Sequence, residues 1–312
     1  MKNYRTPFIL FAVCALAFGP LCVEFFGSEW RAKWMLAWAA NQLQNKQFEA
    51  AEKTLQCATE MSDNLATDPE FWKLKFDLVL NKKDTGPEVY SELFQEAMVH
   101  IPKLPAALQA SLAHDVGGLL HQCNQNQLAV DIMEKFFPPI SQRTPSENNS
   151  IAYFRSKIRK GLETALLEID AALVKDGTSE AAFLDTKAWV LHGLSRNELA
   201  LDFVQAAIQK QSEAIGELKG MAREDRVEFK KWLFDDSSSL QVDAVQKSNA
   251  MAELKKRFSG YPPEAIEAFA RGVASLRFHR ASILDELGRS DESEPDYAWL
   301  DRFGLEQTDK LN

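Results

Sequence analysis

Small residues recur along this chain at one spacing. Ala188 is followed by Ala200 and Ala207, offsets of twelve and seven, and Ala39, Ala51 and Ala58 repeat the ladder near the start. Gly117 and Ala129 give the twelve again, and Ala281, Ser293 and Leu300 give a degraded copy near the end. Side chains this small at such offsets let two antiparallel helices, and then the next pair, approach closely. Gly117, Ala152 and Ala188 lie 35 and 36 residues apart, the step of a stacked helical array. The spacing predicts an all-α fold, a solenoid of antiparallel helix hairpins that becomes irregular in the C-terminal third. The chain has room for about six or seven such pairs after an N-terminal hydrophobic helix.

Composition supports this and removes some functions. Only 14 Gly and 12 Pro in 312 residues leave little room for a loop-rich β architecture. The net charge is −9, and no Lys/Arg run interleaved with aromatics offsets it, so a nucleic-acid partner is not expected. Four cysteines are too few for a disulfide scaffold. Cys57 and Cys123 fall in different hairpins, about three helix steps of roughly 8–10 Å apart. A disulfide needs Cα atoms within about 7 Å, so both thiols are predicted to be free, and buried as small apolar filler.

The first residues read as a membrane segment. Met1–Arg5 is short and basic, Pro7 to Val23 carries no charge, and Phe25 and Phe26 follow Glu24. A bilayer core needs roughly 20 apolar residues as a helix, which residues 7–26 supply if the two phenylalanines complete the span. The alternative is a cleaved signal peptide with Ala15-Leu16-Ala17 as its small-x-small site. Cleavage near Ala17 would leave a secreted or periplasmic protein with a greasy new terminus at Phe18. Lys2 and Arg5 precede the segment and Arg31 and Lys33 follow it, a weak charge bias. Both readings put the bulk of the chain outside the cytoplasm, as a single-pass anchored or an exported protein.

Beyond the segment, Ser28 is a candidate N-cap, and Trp30, Trp34 and Trp38 recur every four residues. Such a stripe is either an aromatic belt at the membrane surface or the buried face of the first soluble helix. The second reading is preferred for Trp34 and Trp38. Helices are then expected over 48–59, 69–80, 88–99, 105–122 and 126–136, with Pro138-Pro139 closing a hairpin. A polar connection at 142–146 precedes helices opening at Asn148 and spanning 162–173, 182–194 and 197–208. Residues 209–233 read as one long charged helix, and helices return over 264–287 and 292–303. Five regions follow: a membrane anchor or signal segment (1–27), N-terminal hairpins (28–139), the most regular hairpins (140–210), a charged helical insertion (211–263) and a C-terminal hairpin or cap (264–312).

Leu184 to Ala200 (LDTKAWVLHGLSRNELA), completed by Val204 and Ala207, resembles the tetratricopeptide repeat. It carries that family's small residue, aromatic-aliphatic helix, short turn and second small residue. Asn149 to Leu173 is similar, with one extra residue at the Lys160-Gly161 turn. Residues 34–58 and 280–300 look like weaker outer repeats, and Ser293 and Pro295 depart from the pattern. The resemblance is to membrane-anchored members of bacterial type. It implies a right-handed superhelix whose concave face binds peptides or partner proteins, and it brings no active-site chemistry, cofactor or metal.

The chain's own chemistry is sparse. His114, His121 and Cys123 form the one cluster with metal-like residue types, but three or four ligands at fixed spacing are not present and no metal is expected. His100, His192 and His279 stand apart from it. No nucleophile elbow, phosphate-cradling glycine loop, HExxH or CxxC occurs, so no enzyme is expected. Glu49, Glu52, Glu163 and Glu168 fall where solvated helix faces are predicted. Asn148-Asn149-Ser150 matches a glycosylation sequon and is read as chance. Within the insertion, Met221 to Leu233 reads as an interaction helix or as a cap packed on the array. The expected function is a membrane-anchored scaffold for protein–protein interactions in an envelope complex. A holdase-like assembly or quality-control factor for exported clients is the alternative, and an enzyme with an unrecognised site the third.

Overall fold

The computed structural model describes residues 27–81, 87–176, 180–218, 220–234 and 250–304. The predicted anchor at 7–26 lies outside these residues. Among the described residues there are fourteen α-helices and no strand. None of these helices is long and apolar enough to cross a membrane. Contacts divide the chain into two compact units, one running to Phe137 and one from Pro138.

The first unit contains α1 (Ser28–Gln44), α2 (Phe48–Met61), α3 (Pro69–Asn81), α4 (Pro87–His100), α5 (Ala106–Gln122) and α6 (Asn126–Phe136). The second contains α7 (Pro145–Ile158), α8 (Leu162–Asp176), α9 (Ala181–Gly193), α10 (Asn197–Ala214), α11 (Arg223–Phe234), α12 (Ala250–Arg257), α13 (Pro263–Glu286) and α14 (Ser290–Arg302). Helices adjacent in sequence pack as antiparallel pairs, most extensively α1/α2, α5/α6, α7/α8, α9/α10 and α13/α14.

The twelve-residue spacing is turn geometry. In these five hairpins the chain leaves the first helix through a residue in the left-handed region: Lys46, Asn124, Arg159, Ser195 and Gly288. Each stands seven positions after a small residue: Ala39, Gly117, Ala152, Ala188 and Ala281. The next backbone N–H then reaches back five residues, as in Gln47 N to Gln42 O at 2.9 Å and Arg196 N to Leu191 O at 2.9 Å. That bond and the shorter one from the left-handed residue (Lys46 N to Leu43 O, Ser195 N to His192 O) make a Schellman motif. Five residues further on the second small residue arrives: Ala51, Ala129, Ala200 and Ser293. The α7/α8 turn has one more residue, with Arg159 and Gly161 both at positive φ, so its partner is Ala165, thirteen after Ala152. All these small residues are buried. A Cβ added to Gly117 would lie 2.5 Å from Met133 Cε, which shows how closely α5 and α6 approach.

Ends are set by local chemistry. Asp68 Oδ1 accepts from Glu70 N at 3.0 Å at the Pro-led start of α3. α7 starts at Pro145, before the expected Asn148, because Thr144 and Glu147 form a reciprocal capping box. α1 starts at Ser28 with Gly27 in an extended cap conformation and no side-chain cap, so Ser28 is not the N-cap.

Two expectations about larger elements are corrected. Trp34 and Trp38 are not on a buried face: with Trp30 they are 38–42% exposed, and α1 buries Ala32, Leu36 and Ala39. The ladder residue Ala39 must face α2, and that turns the tryptophan stripe outward. Nor is 209–233 one helix. α10 runs to Ala214, a 3-10 turn covers Ile215–Glu217, and α11 begins at Arg223. Phe229 and Leu233 of α11 enter an apolar core with Leu254, Phe258, Ile266, Val273, Trp299 and Leu300. α10 packs directly on α13, although α11 and α12 lie between them in the sequence.

Candidate functional site

The first unit carries an open cleft of about 290 Å³ formed by α2, α3 and α4. Its floor is apolar, from Leu55 on α2, Phe71, Leu78 and Val79 on α3, and Leu93 on α4. Leu55 continues the Ala51/Ala58 face of α2, and Phe71 is locked edge-on at 5.2 Å against the fully buried Trp72. Trp72 in turn donates from Nε1 to Ala66 O at 3.0 Å, which fixes the start of α3 beneath the cleft. The rim is polar, with Glu52, Gln56 and Thr59 on one side and Lys75 on the other.

Lys75 is held in place. Its ammonium donates to Glu96 Oε1 and Oε2 at 2.6 and 2.7 Å and lies 5.2 Å from the ring centroids of Phe71 and Trp72. A cation over aromatic faces beside an acid gives the rim one fixed donor, with Glu52 and Glu96 as nearby negative charge. The volume falls just under the range of small-molecule sites, roughly 300–1,000 Å³. It has room for one or two apolar side chains.

Titratable groups in the second unit are used inside the core. Glu168, expected to be solvated, is completely buried. Arg143 Nη1 and Arg155 Nε donate to its two oxygens at 2.7 and 3.0 Å, while Arg143 Nε also donates to Pro138 O at 2.8 Å. The carboxylate thus ties the segment leading into α7, and α7 itself, to α8. Asp296 repeats the device on α14, accepting from Arg277 at 2.8 Å and from Arg280 at 2.6 and 2.7 Å. Arg277 also donates to Leu233 O at 3.1 Å, joining α11 to the same point. Glu49, Glu52 and Glu163 are exposed as expected.

The histidines are structural in their contacts. His121 and His192 occupy equivalent hairpin positions, four after Gly117 and four after Ala188. Each pairs through Nδ1 with the asparagine opening the next helix, Asn126 at 2.5 Å and Asn197 at 2.9 Å. Trp189 lies between His192 and His279, stacked at 4.9 and 4.1 Å, and His279 Nδ1 is 2.8 Å from Asp185. Burial pushes the His192 imidazole below its ordinary pKa, against the opposing pull of its Asn197 bond. On α14, burial and then the bond to Asp285 push the Tyr297 phenol up to about 12. In the first unit, burial raises the Asp77 carboxyl. The His114 ring is tilted against Phe137, with centroids 6.4 Å apart. Among the described residues no group of three His, Cys, Asp or Glu is placed to hold a metal ion.

The cysteine expectation is corrected in one respect. Cys57 and Cys123 are free, but Cys57 is exposed and Cys123 half-buried. Cys57 is two residues past Leu55 and so points away from the Ala51/Leu55/Ala58 face, and Cys123 caps the end of α5. Asn148 of the sequon-like triplet is fully buried and donates to Ile140 O at 3.2 Å, which closes it to glycosylation. No protein-family model matches this chain, and no characterised protein matches it.

Proposed function

We propose that this protein is a membrane-anchored, non-enzymatic scaffold of tetratricopeptide type. It holds a partner protein through a short apolar segment seated in the α2/α3/α4 cleft. The observation carrying the reading is the cleft itself: an apolar floor and a polar rim drawn from three helices, a combination suited to an apolar side chain of a partner whose polar backbone meets the rim. The ladder of small residues and the five equivalent turns support the family resemblance. The buried carboxylates support a structural rather than catalytic use of charge, since Glu168 and Asp296 are each held by two guanidinium groups. Anchoring rests on the uncharged stretch 7–23 and the phenylalanines that follow it.

Purification of the full chain from membranes in mild detergent tests this reading. A scaffold brings down one partner in fixed stoichiometry, and Gln56→Trp, which fills the cleft from an exposed rim position, removes it. Many weakly held clients, insensitive to Gln56→Trp, would favour the quality-control reading instead.

A further inference from the structure

α1 carries an aromatic face that stays more than a third exposed. Trp30, Trp34 and Trp38 are 42%, 41% and 38% exposed, and the Trp34 and Trp38 rings lie 5.3 Å apart. The i, i+4, i+8 spacing places them on one stripe, opposite Ala32, Leu36 and Ala39, which pack inward. Among the described residues none of the other exposed large hydrophobic side chains, such as Val99, Leu108 and Leu199, is aromatic. An indole has an apolar body and one N–H donor, and its favoured surroundings are the headgroup level of a bilayer.

The place of this helix in the chain names the occupant of that face. The apolar segment closes with Phe25 and Phe26, and α1 begins at Ser28. Between them Gly27 is extended, with φ −53° and ψ 159°, so α1 does not simply prolong a helix entering from residue 26. We infer that α1 lies along the bilayer surface with its tryptophan stripe turned into the lipid headgroup region, so that the first unit is held at a fixed angle to the membrane. This rests on the anchored reading of residues 7–26.

Dimensions make the orientation specific. Trp30 and Trp38 are separated by eight residues, about 12 Å along a helix. The headgroup region on one side of a bilayer is only about 5–8 Å deep, from a total of ≈ 40–45 Å less a ≈ 30 Å core. An upright α1 would therefore carry one or two of the indoles out of it, whereas a helix lying flat keeps all three at one depth.

The test uses the full chain in vesicles of phosphatidylcholine and phosphatidylglycerol. The quenchers are lipids nitroxide-labelled either near the headgroup end of the acyl chain or near its terminal methyl. Trp30→Phe, Trp34→Phe and Trp38→Phe are each expected to remove an equal share of the shallow quenching, and the triple variant to abolish it, with little deep quenching throughout. A loss graded from Trp30 to Trp38 means an upright α1 and overturns the inference. Vesicle flotation without indole quenching overturns it while leaving the anchor standing. Indoles shielded from both lipid and aqueous iodide mean that a second copy or a partner protein covers the face, and this also overturns it. A chain that does not float with the vesicles overturns the anchored reading and the inference together.

Discussion

The two units solve the packing of paired helices with different materials. Among the described residues, every buried polar or charged side chain belongs to the second unit, from Arg143 to Asp296, and the first unit's core is wholly apolar. Exposed large hydrophobics show the reverse bias. Seven of the eleven among the described residues, including all three α1 tryptophans, belong to the first unit. Buried ion pairs add little net stability, but removing one partner strands the other charge. They are therefore suited to fixing how irregular pieces such as α11 and α14 meet. The first unit does without such constraints and spends its apolar side chains on a floor for a cleft and a face for a surface. Shared turns with different cores separate what makes a hairpin from what makes a function.

The largest expected effect falls on the second unit alone. Glu168→Ala leaves Arg143 and Arg155 buried without their carboxylate and should cost about 3–5 kcal/mol. In urea unfolding followed by hydrogen exchange, α7–α14 lose protection and α1–α6 keep theirs. Replacing both arginines by Met in the same chain should recover much of the loss, and failure to recover would show that the network does more than neutralise itself. Next come the ladder positions, where the units should behave alike. Ala129→Leu and Ala200→Leu each overpack a fully buried helix contact, at about 1–3 kcal/mol by thermal or urea denaturation. A clear difference between them would break the equivalence of the hairpins.

A smaller effect of opposite sign is expected at the turns. Lys46→Gly and Ser195→Gly relieve a side chain held at φ 59° and should each stabilise by about 1 kcal/mol, equally in the two units. The smallest effect is the pH dependence from His192. Its lowered folded pKa means that below about pH 6.5 the unfolded chain takes up a proton that the fold refuses. Stability is thus lost as pH falls through that value and levels off beneath the folded pKa. His192→Gln should flatten that part of the stability–pH curve in the second unit and leave the first unchanged.

Periodicity and punctuation made the hairpins legible. The ladder from Ala39 to Leu300, the Pro69 start and the Asn126–Phe136 helix are all local signals, and the structure places paired helices there. The α1 face was also decidable in principle. Ala39 belongs to the ladder and has to meet α2, so Trp38, one residue away, has to leave the interface. A stripe at spacing four says that a face exists, not which face is buried. The Thr144–Glu147 box is likewise a four-residue signature.

Glu168 was not readable, because its partners lie 25 and 13 residues earlier and nothing in the local pattern distinguishes a buried carboxylate from a solvated one. The cleft was not readable either. Its floor combines Leu55, Phe71 and Leu93 from three helices whose mutual angle no periodicity specifies.

Photocrosslinking from the cleft rim in intact membranes tests the central claim most directly. A photoreactive residue replaces exposed Glu52 at the cleft, with one at exposed Asp202 of the second unit as the comparison. The account predicts a single discrete adduct from position 52 that disappears in the Gln56→Trp background, and none of that mass from position 202. The same adducts from both positions, or an adduct at 52 that survives the filled cleft, would contradict it.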